Sequence, residues 1–191
     1  LFRLLGHKTG LISTVNIRIM HKIIPATHTT PDAISINRIL REMLDHGCTH
    51  VFMEVSSHAL DQNRTRGLFF DVGVFTNISR DHLDYHSSFD QYIECKKKLF
   101  DSLSEHSHAI VNFDDLHGET LTNDSKAKIY SYGLREERTF KGKMLENDIS
   151  GLSVEIDGIQ LTSRLIGEFN VYNLLVAYSV ANCLGEDPMT V

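Results

Sequence analysis

A chain of 191 residues that is 41% hydrophobic can bury one sizeable core, with at most a small appendage. Its formal net charge of −6, without a long basic run, argues against nucleic acid as a partner, and no apolar stretch approaches membrane-spanning length. Cys48, Cys95 and Cys183 have no metal-knuckle spacing and read as buried thiols of a reducing compartment; with no signal peptide at the start, the expected location is the cytoplasm.

Leu1 to Leu5 read as the tail of a helix closed by Gly6, so the chain is expected to be a piece of something longer. Residues 10–14 and 17–24 read as short strands, the second ending at Pro25. Thr30-Pro31-Asp32 reads as a helix start, with Thr30 as N-cap, Pro31 at the first helical position and Asp32 favourable toward the dipole. Ala33, Ile36, Leu40, Met43 and Leu44 continue at helical period until Gly47. A buried strand over residues 50–55 then leads into the polar turn Ser56-Ser57-His58.

Three more strands are predicted over residues 72–76, 109–113 and 127–132. Strands alternating with helices of this length predict parallel β-α-β units, hence an α/β fold with a mostly parallel sheet flanked by helices. From about Lys141 the pattern changes. Two strand-like runs flank Asp157-Gly158, a strong two-residue hairpin signal, and predict a small antiparallel flap. Phe169 opens a helix whose apolar face is Val171, Leu174, Leu175, Tyr178 and Ala181, and Gly185 ends it. Asp187-Pro188 reads as the start of another helix.

Residues 77–100 are the densest in chemistry. Asp81, His82, Asp84, Tyr85 and His86 follow directly on a strand, and a helix comes next. Ser88 and Gln91 have capping-box spacing; Phe89, Tyr92, Ile93, Leu99, Phe100 and Leu103 then recur at helical period. Lys96 falls near the middle of that apolar stripe, Lys97 at its margin and Lys98 outside it. An inward lysine either snorkels to water or is held where burial lowers its pKa and its neutral amine can react.

In open parallel sheets ligands bind beyond the carboxyl ends of the strands. Three polar clusters are expected at that edge: Glu54 to His58, Thr76 to His86, and Asn112 to Asp115. Glu54, at the end of an apolar strand, either caps a neighbouring turn or binds a metal. Glu54, His82 and Lys96 can converge from separate segments. A poorly solvated lysine amine reacts with carbon dioxide to give a carbamate, an oxygen donor suited, like glutamate, to magnesium. Asp81, Asp84 and His86 compete for the same role. No Gly-x-x-x-x-Gly-Lys-Ser/Thr loop occurs, so a nucleotide enzyme of this kind is expected to carry its phosphate cradle before residue 1.

Four blocks resemble the central domain of the Mur ligases: Thr29-Thr30-Pro31-Asp32, residues 53–60 (MEVSSHAL), residues 75–86 (FTNISRDHLDYH) and residues 167–173 (GEFNVYN). They keep the family's order and spacing over nearly the whole chain. The likeness is greatest to members that add the third peptide residue, meso-diaminopimelate or lysine, to UDP-N-acetylmuramoyl-L-alanyl-D-glutamate. The resemblance implies a P-loop-like ATP-binding α/β domain and an ATP-dependent amide-forming reaction through an acyl phosphate in peptidoglycan precursor synthesis. Its substrates would be the UDP-N-acetylmuramoyl dipeptide and a free amino acid. It implies that Lys96 is carbamylated and holds Mg2+ with Glu54 and His82, and that Thr29, Thr30, Ser56, Gln62 and Arg64 contact substrate. Asn170 and Asn173 match positions near the adenine of ATP, although Asn170 equally suits a helix N-cap. His28 stands where several relatives carry asparagine.

The family's UDP-binding domain, phosphate loop and C-terminal ligase domain are not in residues 1–191, so this piece alone is expected not to turn over. Three alternatives remain at this point. One is a metal-dependent phosphohydrolase built on Asp81, His82, Asp84 and His86; another is a folate-polyglutamylating ligase of the same superfamily. The third is a non-catalytic binding module.

Overall fold

Ile17 and Ile19 alternate with the polar Asn16 and Arg18, Ile12 precedes the polar Ser13, and Ile39 and Met43 lie one helical turn apart. These five side chains form one core, each at most 7% exposed. They belong to the first of two units in the computed structural model, which describes residues 1–79, 85–135 and 137–191. The first unit comprises residues 1–69 and 82–98, and the second comprises residues 70–81 and 99–191.

The first unit contains β1 (Thr9–Ile12), β2 (Asn16–Ile19), β3 (Lys22–Pro25), α1 (Ala33–Asp45), β4 (His50–Met53), α2 (Ser57–Asp61) and most of α3 (Phe89–Asp101). Its sheet has the order β3-β2-β1-β4, with β1 parallel to β4 and the other pairs antiparallel. The single strand expected over residues 17–24 is in fact the hairpin β2–β3, turning at Met20-His21. Met20 takes φ 54°, a conformation that glycine or asparagine would have announced.

The N-cap of α1 is Asp32 rather than Thr30. The Asp32 carboxylate accepts from the Ser35 N–H at 3.0 Å and from its hydroxyl at 2.6 Å, bonds that lower its pKa. At α3 one half of the predicted capping box forms, the Gln91 N–H donating to Ser88 Oγ at 3.1 Å, while Gln91 Oε1 accepts from the N–H of Ser87, one residue before the cap, at 2.7 Å. The helix buries Tyr92, Ile93, Cys95 and Phe100, with Lys96 half-buried in the middle of that arc. Lys97, expected at the margin, is itself only 9% exposed, because the buried arc is wider than one stripe.

The second unit contains β5 (Val72–Phe75), β6 (His108–Asn112), α4 (Gly118–Thr122), β7 (Lys128–Gly133), β8 (Phe140–Asp148), β9 (Gly151–Ile156), β10 (Ile159–Ser163) and α5 (Phe169–Cys183). The sheet runs β10-β9-β8-β7-β6-β5; β5 to β8 are parallel and β8 to β10 antiparallel. This is the expected α/β arrangement with its antiparallel flap. The flap turns through Asp157 and Gly158 at φ 47° and 83°, as the dipeptide predicts. Ile110, Tyr132, Phe140, Val154, Val171 and Leu175 are the centre of its core. At the far end, Asp187 starts a single turn, in which the Thr190 and Val191 N–H groups donate to its carbonyl.

One expectation about the sheet edge needs correction. β5 and β6 share a sheet, and Thr76 and Asn112 meet at the edge that follows them, but β4 and Glu54 belong to the other sheet. Nor is β4 the buried strand that its apolar run predicted: none of its residues is buried, Val51 is 39% exposed, and its neighbour in the sheet is β1.

Burial supplies a test. The Tyr172 phenol is pushed from 10.0 up to about 12, first by desolvation and then by the charge of Asp114. Burial raises Tyr132 as well. Both folded-state values lie above the unfolded one, so their contribution is intact below pH 10.0 and is lost as the pH rises toward about 12. The urea midpoint of this unit should therefore fall over that window, and fall less steeply in Tyr172→Phe. Parallel curves for the two proteins would refute the assignment.

Candidate functional site

The end of β4 organises the polar residues of the first unit. Glu54 Oε2 accepts from the Thr14 N–H at 2.9 Å and from the Thr14 hydroxyl at 2.5 Å. The Thr14 and Thr29 hydroxyl oxygens lie 3.1 Å apart. The Thr30 hydroxyl, 1% exposed as a residue, donates to the Glu54 carbonyl at 2.8 Å and accepts from the Ser56 N–H at 3.0 Å. That hydroxyl is therefore engaged in pinning the segment before α1 to the one between β4 and α2, which explains why it does not cap α1. Ser56 caps α2, its hydroxyl accepting from the Ala59 N–H at 3.2 Å.

Arg64 closes the network. Its Nη1 donates to the Thr30 carbonyl at 2.7 Å, while Nε and Nη2 donate to Gln62 Oε1 at 2.9 and 2.6 Å. Thr29, Thr30, Glu54, Ser56, Gln62 and Arg64 are thus one connected set, six of the residues that the sequence singled out. Beside them runs a groove of about 620 Å³ with Ile24, His28, Arg38, Ile39, Gln62 and Arg64 among its walls. Guanidinium and amide groups over an apolar floor suit an anionic ligand that also carries apolar surface.

Lys96 keeps its place in the same unit. Its Nζ lies 5.3 Å from the centre of the Tyr92 ring, and burial lowers its pKa. The described residues give this amine no carboxylate partner. His82, Asp81 and Asp84 lie outside the described residues, and among the described residues no group of three His, Cys, Asp or Glu side chains is gathered for a metal. The donors that are described nevertheless fit magnesium chemistry. Both Thr14 bonds fall on Glu54 Oε2, leaving Oε1 for a hard cation, and Lys96 is an amine shifted toward its neutral form.

His86 is 2% exposed and its Nε2 lies 2.9 Å from the Ser57 hydroxyl. That removes it from a solvent-facing metal set, and with it one member of the phosphohydrolase alternative. Cys95 is buried, whereas Cys48 and Cys183 are half-buried; burial pushes the Cys183 thiol up to about 11.

In the second unit, Asn170 and Asn173 sit in the first turns of α5. Glu168 holds the N-cap position, so Asn170 is not the cap. Its Nδ2 donates to the Ile166 carbonyl at 2.8 Å and its Oδ1 accepts from Asn173 at 3.0 Å, which fixes both amides. The Asn112 to Asp115 cluster, expected to face a ligand, is tied to its own unit. Asn112 donates to the Thr76 carbonyl at 2.8 Å, and Asp115 accepts from the Ile78 N–H at 3.1 Å. Asp114, with a side chain 6% exposed, accepts from Leu134, Arg138 and Tyr172. Tyr85, Asp61 and Lys98 also join the network of the first unit; Tyr85 was noted in the dense polar stretch and Lys98 outside the apolar stripe, but neither was paired with Asp61, since no spacing rule links the three.

The sequence pattern of the Mur ligase middle domain matches residues 1–181. The UDP-N-acetylmuramoyl-L-alanyl-D-glutamate--2,6-diaminopimelate ligase of Cytophaga hutchinsonii is 54% identical over 187 residues, 98% of this chain and 38% of that protein. The ligase of the same name from Phocaeicola vulgatus is 46% identical over 186 residues, covering 97% of this chain and 38% of its own length. A solved structure of a UDP-N-acetylmuramoyl-L-alanyl-D-glutamate--2,6-diaminopimelate ligase superposes with a TM-score of 0.87 at 29% identity, covering 97% of this chain and 39% of that one. The chain thus spans 38% of the length of these two relatives.

Proposed function

This chain belongs to the Mur ligase family, matching its middle domain, and from that membership we propose that it is the central part of an ATP-dependent acid–amino-acid ligase. The reaction is the addition of meso-diaminopimelate to UDP-N-acetylmuramoyl-L-alanyl-D-glutamate in peptidoglycan precursor synthesis. The γ-phosphoryl group of ATP passes to the glutamate carboxylate, giving an acyl phosphate and ADP. The amine of the incoming amino acid then attacks the acyl carbon, forming the amide and releasing phosphate and a proton.

The observation that carries this reading is the joining of Thr29, Thr30, Ser56, Gln62 and Arg64 into one network beside a groove, in a chain whose relatives bear that name. Arg64 is held by two edges before any ligand arrives, so little order is lost when it meets a carboxylate or phosphate. Glu54, His82 and a carbamylated Lys96 would hold Mg2+, which when bound offsets charge on the phosphoryl oxygens. Asn170 and Asn173, with their amides oriented by each other, would meet the adenine. Among the described residues no helix is long and apolar enough to cross a membrane, in keeping with a cytoplasmic reaction.

The full-length protein given ATP, Mg2+, the UDP-muramoyl dipeptide and diaminopimelate should release phosphate, and omitting any one should stop it. Arg64→Ala should raise the KM for the dipeptide substrate roughly 10- to 100-fold, the worth of a charge-assisted hydrogen bond. Phosphate release that needs no amino acid, or that proceeds without ATP, would instead indicate a hydrolase.

A further inference from the structure

Gln62 presents two chemically opposite ends, and which end faces Arg64 decides whether the guanidinium finds an acceptor or meets a second donor. The amide cannot choose by itself, since its carbonyl and NH2 ends are close to isosteric. Its Nε2 donates to the Tyr85 hydroxyl oxygen at 3.2 Å. The phenol can accept there because its own proton goes elsewhere, to Asp61 Oδ2 at 3.0 Å. The other carboxylate oxygen, Asp61 Oδ1, accepts from Lys98 Nζ and from Cys95 Sγ, at 3.2 and 3.5 Å. The His58 ring packs on the Tyr85 ring with centroids 3.9 Å apart, fixing where the hydroxyl points.

We infer that Tyr85 and Asp61 are positioning residues that set the direction of a hydrogen-bond chain in which Arg64 donates to Gln62, Gln62 to Tyr85 and Tyr85 to Asp61, itself held by Lys98, and so keep Arg64 aimed for the nucleotide-peptide substrate. This rests on the function proposed above. Direction matters because each link has one donor and one acceptor, and reversing one link reverses the next. The Asp61 carboxylate can only accept, and Lys98 followed by Tyr85 lowers its pKa, so it stays ionised. The arrangement leaves Gln62 Oε1 as the only amide end available to Arg64.

The test is steady-state kinetics of the full-length protein with three variants. Tyr85→Phe removes the acceptor for Gln62 Nε2 and should raise the KM for UDP-muramoyl dipeptide about fivefold, the worth of one neutral hydrogen bond. The KM values for ATP and diaminopimelate, and kcat, should stay within about twofold. Asp61→Asn should do more harm than Tyr85→Phe. Lys98 would draw the new carbonyl, turning the new NH2 toward Tyr85, so that the phenol donates to Gln62 and flips the amide against Arg64. In a Gln62→Ala background, neither change should have any further effect on that KM.

Wild-type affinity for the UDP-muramoyl dipeptide, measured first by calorimetry, separates two failures. Absent binding sinks the proposed function and this inference with it. Normal binding together with an unchanged KM in both variants, a uniform rise of all three KM values, or effects that persist without Gln62 would overturn the positioning role alone.

Discussion

Lys96→Arg in the full-length protein is expected to lower ATP-dependent ligation by on the order of 10²-fold or more while leaving folding intact. Arginine keeps the charge and much of the length of lysine, so a role in ion pairing or snorkelling would survive the change. It cannot supply a neutral amine at working pH, because the guanidinium holds its proton far above the range of an ammonium. At Lys96 burial already acts against the charged form, with no carboxylate among the described residues to offset it. Burial therefore favours the neutral amine, the form that the carbamylation proposed above requires, and arginine removes that form alone. Phosphate release measured beside the thermal midpoint distinguishes the outcomes. Activity within tenfold of wild type would show that Lys96 is held there for packing. A fall in activity matched by a drop in the midpoint would implicate lost structure instead.

Asp114→Ala should destabilise the second unit by about 3–5 kcal/mol, the usual consequence of removing one partner from a buried charged pair. The carboxylate accepts from the Leu134 N–H at 2.6 Å, from Arg138 Nε and Nη2 at 3.2 Å each, and from the Tyr172 hydroxyl at 3.2 Å. Arg138 is 17% exposed at its side chain, so alanine at position 114 would leave a poorly hydrated guanidinium without its carboxylate. These bonds join the end of β6, the segment between β7 and β8, and the first turns of α5. Gly133 permits the approach, since a Cβ there would lie 2.6 Å from the Asp114 carboxylate. Asp114→Asn keeps the shape and one acceptor and should lose less. Urea unfolding at neutral pH, followed by a probe in this unit, measures both; a loss under about 1 kcal/mol for the alanine variant would mean that the carboxylate is not the anchor.

What could be read without coordinates was whatever has a local cause. The Asp157-Gly158 turn, the Ser88 cap of α3, the apolar face of α5 and the alternation of strands with helices all follow from spacings of a few residues, and all are present in the structure. Of the six connected residues, Thr29, Thr30, Glu54 and Ser56 were legible because they sit in short blocks resembling the Mur ligases, and Gln62 and Arg64 because they follow one of those blocks closely, not because spacing alone revealed a site.

Pairing across sequence distance was decided only by the tertiary structure. Which strand lies beside β4, whether Thr30 caps a helix or pins a loop, and how deeply Lys97 is buried depend on partners that local sequence does not specify. So does the partnership of Tyr85 with Asp61 and Gln62, 24 and 23 residues away. Side-chain periodicity records which face of an element avoids water, since burial is nearly indifferent to the identity of the apolar neighbour. A hydrogen bond is selective: it needs one donor and one acceptor brought within about 3 Å, and only the folded chain supplies that distance.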